Sequence, residues 1–366
     1  MTEQSTNSDA PAPDEYEVSV FGPGVGECVV VHLGRNEWLV MDSLTERQDA
    51  PPVALTYLEA IGVGLERVRV IVASHWHDDH TRGLARLLEA CPEAAFYCSR
   101  AFGDRDVQVM VDLHGGEPPR VGGGTRELWK VFQWLETQHR PLQTVGPQQT
   151  LYRREQSADD HAVMVTSLSP SHRAIQASIE SMISMIPIDG EPRTFLPFHS
   201  PNHNAIVLLL QLGDGSVLLG GDLEEVSDEV GWTAILQDPL RHSGQAEVFK
   251  LPHHGSMNAY VPGVWTAMLT ARPFVALAPF RQGSVELPQP VSRTTICGHT
   301  DRAYISSNDG RPPPALRRDA AVTRTIREAS IRLHPQTSQP GQVRFRRRSS
   351  GDWQVALFGA AAPLCN

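Results

Sequence analysis

Apolar positions recur along the chain with two different periods. Residues 17–21, 28–33 and 38–41 are short runs rich in valine and aromatics, with glycine-containing turns between them, which predicts three strands. Residues 53–61 predict a helix. Residues 68–73 form an almost continuous apolar strand that ends abruptly in Ser74-His75-Trp76-His77-Asp78-Asp79-His80. Leu84, Leu87 and Leu88 then mark one face of a helix, and a strand over 95–98 follows. Leu128, Val131, Phe132 and Leu135 make an i, i+3, i+4, i+7 stripe within a helix predicted over 125–139. A strand over 163–168 and a Met- and Ile-rich helix over 174–186 come next. Residues 205–212 and 216–219 flank Gly213-Asp214-Gly215 and read as a hairpin. It runs directly into Gly220-Gly221-Asp222-Leu223-Glu224. A strand over 247–251 ends in Pro252-His253-His254-Gly255-Ser256, another covers 274–278, and a terminal hairpin joins 342–346 to 353–358.

Two β-rich halves, each with helices to cover it, predict an α/β chain. The layered solution that buries the inner faces of both sheets is a four-layered αββα sandwich. On this reading residues 1–14 are a disordered N-terminal tail and 15–307 form one hydrolase domain carrying an insertion at about 100–195. Residues 308–366 are a basic, Arg-rich C-terminal extension that ends in the hairpin and packs on the same domain. The spaced glycines at 22, 24 and 26 precede a strand rather than a helix, which argues against a dinucleotide fingerprint.

Composition narrows the picture. The 366 residues carry a formal charge of −10 with 40% apolar residues, enough for a full core without staples. The longest apolar run, 205–210, is far short of the roughly twenty residues that cross a bilayer. The polar, acidic start is unlike a signal peptide, so a cytoplasmic protein without membrane attachment is expected. Five widely spaced cysteines with no CxxC pair predict neither a disulfide framework nor a cysteine–zinc cluster. Lysine occurs only at 130 and 250. Ten arginines between Arg311 and Arg348 face only Asp319 and Glu328, leaving the rest of the chain strongly acidic. That stripe reads either as a track for a polyanion such as DNA or RNA, or as a solvated or bracing surface.

The densest chemistry is His75-x-His77-x-Asp79-His80, four imidazole and carboxylate ligands in six residues after a buried strand. Such donors suit zinc, manganese or iron. One loop can offer His75 and His77 to one ion and Asp79 and His80 to a second. Other strand ends supply the remainder: Asp222, a carboxylate placed to bridge both ions; His254; and His203, preferred over its competitor His199. Lys250 is either a point charge for a phosphate oxygen or an ordinary lysine at a strand end. His253 is spare if His254 binds metal, and reads as a proton donor, with Glu224 placed to orient either His253 or a substrate cation. Ser256 and Asn258 are candidates to line the mouth.

In order and spacing, Ser-His-Trp-His-Asp-Asp-His, Gly-Asp-Leu-Glu and Lys-Leu-Pro-His-His-Gly-Ser resemble the metallo-β-lactamase superfamily, and within it the hydrolase domain of the ComEC/Rec2 DNA-uptake proteins and their soluble relatives. The resemblance runs from about residue 17 to 307. It implies His75, His77, Asp79, His80, Asp222 and His254 as ligands, with Asp42 ending an early strand behind them. Residues 24–28 read Gly-Val-Gly-Glu-Cys where the family usually has Val-Gly-Gln-Gly, and His203 stands where Asn is frequent.

Two divalent ions, zinc or manganese, would share a bridging hydroxide that attacks phosphorus or a carbonyl carbon. Asp79, Lys250, His253 and Glu224 are then the catalytic candidates, and the anionic character expected of the substrate points to phosphodiesters. Soluble members of the branch occur among bacterial defence components, which implies a nuclease effector with protein partners. The alternatives are hydrolysis of another ester, lactone or phosphorylcholine bond, and a non-catalytic component of a larger assembly.

Overall fold

A computed structural model describes residues 8–22, 25–47, 49–102, 123–157, 161–183, 201–307 and 341–365. In chain order the strands are β1 (Glu15–Gly22), β2 (Cys28–His32), β3 (Trp38–Met41), β4 (Val68–Val72), β5 (Ala95–Ser99), β6 (Gln143–Val145), β7 (Gln149–Arg154), β8 (Val163–Ser167) and β9 (Leu208–Leu212). They continue as β10 (Gly215–Leu219), β11 (Ala246–Lys250), β12 (Leu269–Leu277), β13 (Phe280–Gln282), β14 (Val285–Leu287), β15 (Ala303–Ile305), β16 (Gly341–Arg348), β17 (Gln354–Gly359) and β18 (Ala362–Pro363). The helices are α1 (Val53–Ala60), α2 (Asp78–Thr81), α3 (Leu84–Ala90), α4 (Gly123–Thr137), α5 (His172–Ile183), α6 (Trp232–Gln237), α7 (Pro262–Ala267) and α8 (Pro290–His299).

One eight-stranded sheet has the order β17-β16-β1-β2-β3-β4-β5-β6, and the other β18-β15-β12-β11-β10-β9-β8-β7. Period-two alternation explains why they stack. Val29 and Val31 of β2 and Val70 and Val72 of β4 join Leu208, Leu210, Val217 and Val248 in one core between the sheets. The intervening Cys28, Val30 and Ile71 turn the other way and pack under α1, α3 and α4. A third core, with Leu218, Phe249, Trp232 and Trp265, lies between the second sheet and its helices. Because both faces of the central strands are covered, they read as continuous apolar runs. This is the four-layered αββα arrangement.

The expected strand at 205–212 pairs in the sheet only from Leu208, for a reason that matters to the site. Ile206 donates its N–H to Ser74 O at 2.9 Å, which ties the second sheet to the His-rich loop of the first, and Val207 donates to Ser169 Oγ at 2.8 Å within its own half. The region expected as an insertion contributes β6 to one sheet and β7 and β8 to the other. Residues 184–200, which include His199 and the end of the expected Met-rich helix, lie outside the described residues, as does 308–340.

One expectation is corrected. Cys297 and Cys365 are joined in a disulfide that fastens α8 to the C-terminal segment; a separation of 68 residues hides the pairing from any spacing rule. Of the basic stretch, Arg344, Arg346, Arg347 and Arg348 are among the described residues; the first three are internal braces and Arg348 is exposed. Arg346 Nε donates to Glu17 Oε2 at 2.7 Å, and Glu17, fully buried, also accepts from Tyr57 OH and Ser19 Oγ. Arg347 Nη1 donates to Glu247 Oε2 at 2.7 Å, and Arg344 lies over the Phe358 ring at 4.5 Å. Among the described residues no helix is long and apolar enough to cross a membrane.

Candidate metal centre

The parallel strands β3 and β4 of one sheet and β10 and β11 of the other end at the same edge of the sandwich, and each releases its chain into a polar loop there. Ligand-bearing loops at the carboxyl ends of strands are the usual arrangement in α/β folds. After β3 comes Asp42, in the left-handed region at φ 64°. After β4 come Ser74 and the four ligand candidates. After β10, Gly221 (φ 50°) turns the chain where a Cβ would meet Ile206 O at 2.7 Å, so only glycine lets Asp222 face inward. After β11, His253 and His254 hold φ values of 46° and 52°, a conformation costing roughly 1–2 kcal/mol per residue that functional sites tolerate.

Asp42 organises the first loop. Its Oδ1 accepts the Ser74 N–H at 2.7 Å, and its Oδ2 accepts Ser74 Oγ–H at 2.7 Å and His80 Nδ1–H at 2.8 Å. His75 Nδ1 donates to Ser74 Oγ at 3.0 Å. On the other sheet His254 Nδ1 donates to Ala278 O at 2.9 Å, with Phe280 stacked on its ring. Each of these imidazoles therefore turns its Nε2 lone pair inward. His75 Nε2 faces His77 Nδ1 at 3.0 Å; His80 Nε2 lies 3.2 Å from Asp222 Oδ2; His254 Nε2 lies 3.4 Å from the same oxygen and 3.3 Å from Asp79 Oδ2.

The donor set fits divalent ions. His80 Nε2 and His254 Nε2 are buried atoms without a hydrogen-bond partner, which is costly unless a cation completes them. Ligand atoms of His75, His80 and Asp222 fall within 4.8 Å of one another, as do those of Asp79, His80 and His254. The electrostatics agree. Burial, then His80 and His77, push His75 well below the usual imidazole range. Burial alone would lower His80 and His254 as well, yet the carboxylates around them, Asp222 foremost, raise both. Asp222 and Asp79 are held low against burial, chiefly by His80. A field that draws protons onto two buried imidazoles is one that favours a metal cation in their place.

Two candidates lie elsewhere. His203 is not in these groups: it sits on the turn before Ala205 with its Nε2 3.8 Å from Glu224 Oε2, one-third exposed. Lys250 is not available to substrate. Only 1% exposed, it donates to Gly221 O at 2.8 Å, pairs with Glu27 Oε1 and lies 3.7 Å from Asp222 Oδ1. The expected phosphate contact gives way to an internal brace, because β11 is a central strand and its last side chain points between the sheets. Glu27 had only one signal in the sequence, its place in the glycine run before β2.

At the mouth, His253 Nδ1 lies 2.9 Å from Asn258 Oδ1 and 3.1 Å from Glu224 Oε1, and its Nε2 is 3.3 Å from Asn202 Nδ2. Asn202 in turn donates to Glu224 Oε1 at 2.8 Å. Asn202 is a member of this cluster that the sequence did not mark.

Residues 21–120 match the family model described as the metallo-beta-lactamase superfamily. The two-sheet sandwich with its His/Asp centre is the metallo-β-lactamase fold, and over that stretch the chain is similar to a superfamily of metal-dependent hydrolases. Solved structures similar to this chain include the metallo-beta-lactamase fold protein YhfI from Bacillus subtilis, with 13% identity over 65% of this chain and 70% of that one, TM-score 0.34. Metallo-beta-lactamase SMB-1 bound to 2-mercaptoethanesulfonate shows 14% identity over 69% and 85%, TM-score 0.35. A CmlA beta-hydroxylase mutant shows 15% identity over 66% and 36%, TM-score 0.34. No curated protein matches the sequence at a significant level.

Proposed function

We propose that this protein is a metal-dependent phosphodiesterase or nuclease, akin to the hydrolase domain of ComEC/Rec2-type proteins, acting on an anionic substrate such as DNA or RNA. His75, His77, Asp79, His80, Asp222 and His254 would hold two ions, zinc or manganese. His203, at the mouth beside Glu224, is left to contact substrate. When bound, the ions acidify water and offset charge developing on the phosphoryl oxygens.

The observation that carries the reading is His253. It follows no ligand role, sits beside His254, and is fixed by Asn258 and Glu224 through Nδ1. With Nδ1 turned to those oxygens, the Nε2 lone pair accepts from Asn202 Nδ2 at 3.3 Å, and it is the atom that would take up a proton and pass it to a departing alkoxide. The test compares leaving groups on the metal-loaded enzyme. His253→Ala should cost about 10²–10⁴-fold on an oligonucleotide, whose leaving oxygen needs a proton. It should cost much less on bis-p-nitrophenyl phosphate, whose phenolate leaves without one. Turnover of a lactone with none of either phosphodiester would overturn the reading.

A second reading, phosphorylcholine ester hydrolysis, is favoured by Glu224, a carboxylate at the mouth that could face a quaternary cation. p-Nitrophenyl phosphorylcholine belongs in the same panel.

A further inference from the structure

Lys250 and Glu27 are each 1% exposed and face each other under the metal centre. The ammonium pairs with Glu27 Oε1, donates to Gly221 O at 2.8 Å, and lies 3.7 Å from Asp222 Oδ1, an ion-pair distance over which it attracts that oxygen without a hydrogen bond. Glu27 reaches the other loops. Its backbone N–H donates to Asp79 O at 3.0 Å, and its Oε2 lies 3.9 Å from His254 Nδ1. One buried pair therefore touches the segments that carry Asp79, Asp222 and His254.

Stability alone does not account for it. A buried ion pair is expensive to desolvate, and well-packed apolar side chains of similar volume serve a core as well or better. Position does account for it. Lys250 approaches Asp222 from the Oδ1 side, while Oδ2 is the oxygen turned toward His80 and His254. We propose that Glu27 and Lys250 are a positioning pair: Glu27 holds the ammonium, and the ammonium holds Asp222 so that Oδ2 points at the metal ions. The proposal rests on the metal-hydrolase reading above.

The experiment compares the full-length wild type, Lys250→Met, and Glu27→Met with Lys250→Met, each stripped of metal and titrated with Zn²⁺ by calorimetry, with melting temperatures measured alongside. Lys250→Met should lose both stability and Zn²⁺ affinity, because it strands Glu27 as a buried charge. The double variant should recover most of the melting temperature of the metal-free wild type and still bind Zn²⁺ at least tenfold more weakly. Recovery of wild-type affinity along with stability would show that the pair only fills space, and would overturn the proposal. If the double variant does not fold, Lys250→Gln decides: Zn²⁺ affinity at least threefold weaker supports the proposal, and unchanged affinity overturns it. A wild type that takes up no Zn²⁺ removes the metal reading and this proposal together; wild-type uptake with full recovery in the double variant removes this proposal alone.

Discussion

At the scale of single residues, what distinguishes the site is that the groups behind the ligands are as closely fixed as the ligands. Asp42 makes three hydrogen bonds with one carboxylate, and one of them sets the His80 tautomer. Asp42→Asn should therefore weaken Zn²⁺ or Mn²⁺ binding about 10–100-fold while the circular dichroism spectrum stays that of the wild type, since no ligand has been removed. His32 is a histidine of a different kind. Its Nε2 accepts the Asn36 N–H at 3.0 Å and its ring lies against Trp38. Burial, with Arg346 and Arg154 adding to it, pushes its pKa down to about 3. The unfolded chain takes up this proton near pH 6.5, whereas the native state refuses it until about pH 3. The stability contributed by neutral His32 is thus complete above pH 6.5 and is lost on acidification, at up to about 1.4 kcal/mol per pH unit across that window. Urea denaturation of wild type and His32→Gln between pH 7 and 4 should show the variant with the shallower dependence.

At the scale of elements, the C-terminal strands join the two sheets to the rest of the chain. β16 pairs with β1 along its whole length, and Arg346 neutralises Glu17 in the interior. Arg346→Ala leaves that carboxylate buried beside Tyr57 and should cost roughly 3–5 kcal/mol in chemical denaturation. The Cys297–Cys365 bridge closes a separation of 68 residues, for which the chain-entropy model allows at most about 4 kcal/mol. Cys297→Ser or reduction should lower the melting temperature without altering metal content.

These elements also show where sequence is informative. The strands β1 to β5 and β8 to β11, and the stripe on α4, were legible because each buries one or both faces with a clear period. The strand β7, QTLYRR, is polar on an edge, and α6 and α7 span six residues each, too few to display a helical period. The metal loop was legible because its ligands are adjacent in sequence. The burial of Lys250, the turn of His203 toward Glu224 and the Cys297–Cys365 pairing were not, because each depends on a contact between distant segments.

At the scale of the whole molecule, the candidate ligands divide between the two halves. His75, His77, Asp79 and His80 follow a strand of the first sheet, and Asp222 and His254 follow strands of the second. Between these halves the loops are tied by bonds such as Ile206 to Ser74 and Lys250 to Glu27. An ion bound there would be a cross-link whose strength depends on the surroundings. Folding free energy should rise with free metal as RT ln(1 + [M]/Kd), about 2.7 kcal/mol at a hundred times Kd, and calorimetric scans in graded Zn²⁺ buffers would trace that curve. Chelation would then act as a mild denaturant confined to one edge of the sandwich. The half-life of the chain against proteases would follow the free-ion level around it, so that the pool of folded enzyme becomes a record of metal supply.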